Sequence, residues 1–83
     1  MLFTTTIKEN IAYAAENPEL ITDEQIEEAA TYSNSIDFIK NKPDGFNTLV
    51  GQFGSTGLSG GEKQRVAIAR AWIRVRIFVY LKK

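Results

Sequence analysis

The stretch Leu58-Ser59-Gly60-Gly61-Glu62-Lys63-Gln64-Arg65 sets a hydroxyl, two residues without side chains and a carboxylate next to one another, just ahead of a run with helical spacing. Glycine is the poorest ordinary residue for a helical turn, costing about 0.5–1 kcal/mol against alanine, so a pair of them needs a reason. Bare amides at a helix N-terminus, with a serine hydroxyl beside them, form a site for an anion such as phosphate. Side chains at Gly60 and Gly61 would block that approach. The competing explanation is a flexible loop from Gly57 to Gly61 that merely ends in a capped helix, and on glycine spacing alone the two stand level. Other chemistry is excluded by composition: with no cysteine and no histidine, the chain has no thiolate nucleophile, no disulfide and no imidazole for metal or proton work.

The element that must aim these groups begins at Ser59. Ser59-Gly60-Gly61-Glu62 has capping-box spacing, in which serine and glutamate satisfy each other's otherwise orphan amides. Val66, Ala69 or Arg70, and Ile73 then recur at helical spacing, with Ala67 and Ala71 small enough for close packing. Arg76 to Leu81 is aromatic and β-branched, which predicts a buried strand over 76–81 after a helix over 59–74. Upstream, Thr22-Asp23-Glu24-Gln25 is a second capping box that starts a helix. Its inner face is Ile26, Ala29, Ala30 and Ser33, and its outer face Glu24, Glu27 and Glu28. Ser35 serves as N-cap for a short helix carrying Ile36, Phe38 and Ile39. Nearer the start, Thr4, Thr5 and Thr6 offer caps for a short helix in which Ile7 and Ile11 share a face, and Asn17-Pro18 breaks that segment. Lys42-Pro43-Asp44-Gly45 is a turn, and the glycine-containing stretch to Leu58 reads as an ordered loop with an extended piece at Thr48-Leu49-Val50.

A chain of 83 residues that is 43% hydrophobic suits one small soluble domain or a piece of a larger one, with a marginal core. The longest apolar run, Ile77 to Leu81, is far too short to cross a bilayer, and the start lacks the pattern of a signal peptide, so the chain reads as cytosolic. Formal net charge is zero, yet acids crowd the first half while Lys63, Arg65, Arg70, Arg74, Arg76, Lys82 and Lys83 crowd the second. Internal pairing or an anionic partner for the C-terminal part would answer that asymmetry. Nucleic acid is not the expected partner, because no base-reading pattern occurs and the acidic half opposes it. Tyr13, Trp72 and Tyr80 read as packing residues, Arg65 and Arg70 as packing or salt-bridge residues, and Lys63 as a solvated surface lysine.

Leu58-Ser59-Gly60-Gly61-Glu62-Lys63-Gln64-Arg65, followed by Val66-Ala67-Ile68-Ala69-Arg70-Ala71, closely resembles the signature motif and following helix of ABC transporter ATPase domains. Leu2-Phe3-Thr4-Thr5-Thr6-Ile7-Lys8-Glu9-Asn10-Ile11 is similar to the segment after the glutamine loop in exporters of the multidrug-resistance type. Asp37-Phe38-Ile39, Pro43-Asp44-Gly45-Phe46-Asn47-Thr48 and Val50-Gly51 resemble the stretch leading to the signature. The resemblance runs to about Arg74. It implies a mainly α-helical fragment of an α/β, P-loop ATPase domain: short helices over 1–45, a pre-signature loop over 46–58, the signature helix over 59–74, and the strand over 76–81 at the Walker B position. In that family two ATPase domains sandwich nucleotide. Ser59 would give its hydroxyl, and Gly60 and Gly61 their amides, to the phosphate of ATP held with magnesium mainly by a second ABC ATPase domain, with Leu58 and Glu62 alongside. The transmembrane domain of a parent exporter is the other implied partner, at the cytosolic face of a membrane.

The departures matter as much. No G-x-x-x-x-G-K-[ST] loop occurs, and the family's glutamine loop has no counterpart here. Where the family turns, often through Asn-Pro, this chain has Val75-Arg76. The positions of the family's magnesium-associated aspartate and catalytic glutamate fall at Lys82 and Lys83, cations that repel magnesium and cannot serve as a base. The family's Val-Gly-Glu-Arg-Gly stands as Val50-Gly51-Gln52-Phe53-Gly54, and Ser55-Thr56-Gly57 gives three residues before the leucine where two are usual. The expectation is therefore a fragment of an exporter's ATP-binding domain, inactive alone and with no catalytic or metal-binding residue of its own. The alternatives are a small module that docks on a complete ABC ATPase and blocks its dimerisation, or a gene-fragment product without an independent role.

Overall fold

Three capping boxes set where the helices begin. In a computed structural model that describes residues 4–13, 15–51 and 56–81, the Thr6 hydroxyl accepts from the Glu9 amide at 3.0 Å and the Glu9 carboxylate accepts from the Thr6 amide at 2.9 Å. This exchange opens α1 (Ile7–Ala12). Thr22 and Gln25 repeat it at the head of α2 (Asp23–Tyr32). Ser59 and Glu62 do so at the head of the longest element. A short helix, α3 (Ile36–Lys40), follows α2, and 3-10 turns cover Pro18–Leu20 and Gly45–Asn47. Two short strands, β1 (Thr4–Thr6) and β2 (Leu49–Gly51), pair antiparallel with Thr5 opposite Val50. The fold is thus largely helical, as the resemblance implies, with a two-stranded antiparallel sheet between β1 and β2.

The core forms where four helices meet that sheet. Ile7 and Ile11 of α1, Ile26, Ala29 and Ala30 of α2, Ile39 of α3, Val50 of β2, and Val66, Ala69 and Ile73 of the last helix are all buried together. The expected inner face of α2 is correct, Ser33 included, and Glu24, Glu27 and Glu28 are exposed as expected. Alanines on both sides of the contact let α2 and the last helix pack closely. The alanine that does this on the later helix is Ala69, whereas Ala67 and Ala71, expected to permit close packing, are both exposed.

The largest correction concerns the C-terminal segment. Residues 76–81, expected as a strand, continue a single helix, α4 (Gly60–Leu81), so the expected helix over 59–74 has Ser59 as its cap and runs past its expected end. A strand needs a neighbour for its amides and carbonyls, and among the described residues the sheet consists of β1 and β2 alone. A helix satisfies the same groups internally, and no glycine or proline stands between Gly61 and Leu81 to stop it. Ile77 also continues the buried face four residues past Ile73, packing against the core. Trp72 and Arg76 add lateral ties. The Trp72 ring lies 5.7 Å from that of Tyr32 on α2, the Arg76 guanidinium stands 5.7 Å from the Trp72 ring, and Arg76 pairs with Glu28 at 3.9 Å. Trp72 is thus a packing residue as expected, Tyr13 is exposed instead, and the side chain of Tyr80 lies outside the described residues.

Ser35 is a smaller correction. It occupies the N-cap position of α3 but makes no capping bond with its side chain. Its hydroxyl lies 2.7 Å from that of Ser33, which donates to the Ala30 carbonyl at 3.2 Å. Both serines are buried, so mutual bonding outweighs capping. Asn34, between them, holds a left-handed φ of 60°, which asparagine tolerates better than other residues with side chains.

The charge asymmetry finds an internal answer in part. Arg76 of α4 meets Glu28 of α2, while Lys8 pairs with Asp23 and Lys40 with Glu27 within the first half.

Candidate functional site

Ser59 precedes α4, and its backbone is held from two sides. Its amide donates to Glu62 Oε1 at 3.0 Å, and its carbonyl accepts from the Lys63 amide at 2.9 Å. In return the Glu62 amide donates to Ser59 Oγ at 3.2 Å. An oxygen that accepts this way keeps its own proton to donate elsewhere. The box also leaves the amides of Gly60 and Gly61, first in the helix, without a hydrogen-bond partner among the described residues. Ser59, Gly60 and Gly61 are all exposed. One hydroxyl and two amides therefore face outward at the positive end of a 22-residue helix.

The glycines themselves separate the two explanations for the motif. A Cβ placed on Gly60 or Gly61 would meet nothing within 4 Å, and neither residue has a positive φ. Among the described residues, neither the backbone nor the packing requires glycine there. Gly57 is the opposite case: its φ is +89°, and an added Cβ would lie 3.3 Å from Val50 Cγ1. Gly57 is a structural glycine, whereas Gly60 and Gly61 border open space among the described residues.

Surrounding residues fix this cradle. Leu58 packs against the core as a partly buried residue. The Gly51 amide donates to the Thr56 carbonyl at 3.0 Å, tying the approach to α4 onto β2. Glu62 is joined by Lys42, whose Nζ lies 3.9 Å from Glu62 Oε1 and 5.9 Å from the centre of the Phe38 ring. The sequence offered no signal for this contact, because Lys42 lies in a turn twenty residues upstream.

The cations expected near the motif divide. Lys63 and Arg65 are exposed. Arg70 turns inward: its Nε donates to the Asn10 carbonyl at 2.8 Å and its Nη2 to Asn10 Oδ1 at 3.1 Å. Burial holds its pKa below the ordinary arginine value. This is the structural role expected of Arg70, and its partner Asn10 carried no mark in the sequence. Gln52, Phe53, Gly54 and Ser55 of the altered loop, and Lys82 and Lys83 at the family's acidic positions, lie outside the described residues. Among the described residues no group of three or more acidic side chains gathers as a metal site. No helix among the described residues is long and apolar enough to cross a membrane.

A mainly helical unit with a two-stranded sheet and one long capped helix matches a piece of an ABC ATPase domain fold. The ABC transporter family matches residues 3–81, and the chain belongs to that ATP-binding family. It is 55% identical over 73 residues to an ATP-dependent lipid A-core flippase of Vibrio cholerae, covering 88% of this chain and 12% of that protein. It is 49% identical over 74 residues to the mitochondrial ATP-binding cassette sub-family B member 10 of Mus musculus, covering 89% of this chain and 10% of that protein. Among solved structures, that of a bacterial Atm1-family ABC exporter with ATP bound superposes with a TM-score of 0.73 at 43% identity, over 84% of this chain and 12% of that one. The chain spans about a tenth of the length of these two curated relatives.

Proposed function

We propose that this chain is the signature-bearing part of an exporter-type ABC ATPase, in which Ser59, Gly60 and Gly61 contact the phosphate of ATP held by a second ABC ATPase domain. The observation that carries the reading is the open space at Gly60 and Gly61, where glycine answers no need of the chain's own backbone or packing. A phosphate oxygen approaching that space would meet the two amides and the Ser59 hydroxyl together, with the helix dipole adding favourable potential. The phosphate-wrapping loop and the magnesium ligands of that nucleotide would belong to the second domain that holds it. Within a parent exporter this contact would couple ATP binding and hydrolysis to transport through an attached transmembrane domain.

Amide chemical shifts of the isotopically labelled chain test the reading, recorded while a complete ABC ATPase domain loaded with magnesium-ATP is added. Shifts of Gly60 and Gly61 that need nucleotide and disappear in Ser59→Ala are expected. Unmoved Gly60 and Gly61 amides at saturating partner would refute the contact.

A further inference from the structure

We propose that Asn10 is the positioning residue for the signature, holding Ser59, Gly60 and Gly61 in place from two directions at once. Asn10 is buried, and both ends of its side-chain amide are engaged. Its Nδ2 donates to the Thr5 hydroxyl and to the Thr6 carbonyl, the latter at 3.2 Å, which fastens it to β1. Its Oδ1 and its backbone carbonyl receive the two Arg70 bonds at 3.1 and 2.8 Å, which fasten it to α4.

The second direction runs through the sheet. Thr5 stands opposite Val50, and Val50 is the residue against which Gly57 closes, one position before Leu58. The segment from Gly57 to Arg70 carries the whole motif, and both of its ends are anchored on elements that meet at Asn10. Apolar contacts at Val66, Ala69 and Ile73 bury one face of α4 but are non-directional, so they hold its rotation and axial register less sharply than directional bonds do. A planar guanidinium donating two hydrogen bonds to one residue fixes both. Asn10 is buried away from the motif's surface and acts through Arg70 and Thr5.

The absence of cysteine makes a direct test clean. Spin labels on Leu49→Cys and Lys63→Cys, both exposed positions, report the distance between β2 and the first turn of α4 in the full chain. Asn10→Ala and Arg70→Lys are each expected to widen that distance distribution roughly twofold, as a site loosens when its supporting residues are removed. Asn10→Asp keeps the acceptor facing Arg70 but loses the donor to the Thr6 carbonyl, so it regains only part of the narrowness. Ile11→Val is the control: it weakens the same core without touching the clamp, and it leaves the distribution narrow. Equal broadening by Ile11→Val, or unchanged widths in Asn10→Ala and Arg70→Lys, would overturn the proposal. Should a clamp variant fail to fold, amide hydrogen exchange on the unaltered chain decides. Amides of Asn10 to Ala12 and of Val66 to Ile73 exchanging as one unit support the clamp, and independent exchange refutes it. The functional consequence rests on the reading of Ser59 to Gly61 as a nucleotide contact. The distance is read without nucleotide, so the two proposals fail separately.

Discussion

Ser59 and Glu62 exchange hydrogen bonds: the Ser59 amide donates to the Glu62 carboxylate at 3.0 Å, and the Glu62 amide to the Ser59 hydroxyl at 3.2 Å. The residue assigned to phosphate contact is therefore also the cap of α4. Ser59→Ala is expected to lower unfolding free energy by about 1 kcal/mol, as loss of a serine cap does. Glu62→Gln keeps the reciprocal pattern and is expected to leave stability within about 0.5 kcal/mol of the parent. Urea unfolding followed by circular dichroism compares the two.

Gly60→Ala and Gly61→Ala separate stability from contact. Each new methyl enters open space on a backbone that alanine accepts. Each substitution is expected to stabilise the fold by about 0.4–1 kcal/mol through the unfolded state. The same methyls would block an approaching phosphate. Higher melting temperature together with loss of nucleotide-dependent amide shifts is the expected pair of results, and lower stability would contradict the open geometry.

Gly57→Ala should behave in the opposite sense. Its positive φ and the Val50 methyl at 3.3 Å both oppose a Cβ. A loss of more than about 1 kcal/mol is expected, measured by the same unfolding experiment. Comparison with Gly60→Ala then shows two neighbouring glycines responding with opposite signs.

Arg76→Pro tests the continuity of α4. Before a strand, a proline at the turn position would be tolerated, as the related Asn-Pro turn implies. Inside a helix it removes one hydrogen bond and its ring clashes with the carbonyl of Trp72, at a cost of about 3 kcal/mol. A clear loss of helical dichroism and a lower melting temperature are expected.

Local signals were the legible ones. The boxes at Thr22 and Ser59 and the short extended piece around Leu49 and Val50 depend on neighbours within a few residues, so residue types and spacing reveal them. Residues 76–81 misled because β-branched and aromatic residues favour strands only where other strands are present to pair. Without such neighbours, an uninterrupted α4 and its ties at Trp72 and Arg76 decide the outcome. For the candidate site, the motif residues were legible from the motif itself. The grip of Asn10 on Arg70 and the pairing of Lys42 with Glu62 were not, since contacts between distant positions leave no periodicity to read. The differing needs of Gly57 and of Gly60 and Gly61 were equally hidden, because composition does not distinguish a strained glycine from an unhindered one.

One mechanical consequence follows from the length of α4. At 1.5 Å per residue its 22 residues extend about 33 Å, close to the 37 Å longest dimension of the molecule. Treated as a lever, the helix has its fulcrum at the Arg70 clamp, with Gly60 about 15 Å out on one arm. A tilt of only about 4° at the fulcrum sweeps the tip by roughly 1 Å, a misplacement that can cost a reacting site about a hundredfold. Small angular changes near the middle of α4 are thereby magnified at Ser59, which makes the aim of the motif a property of the whole helix.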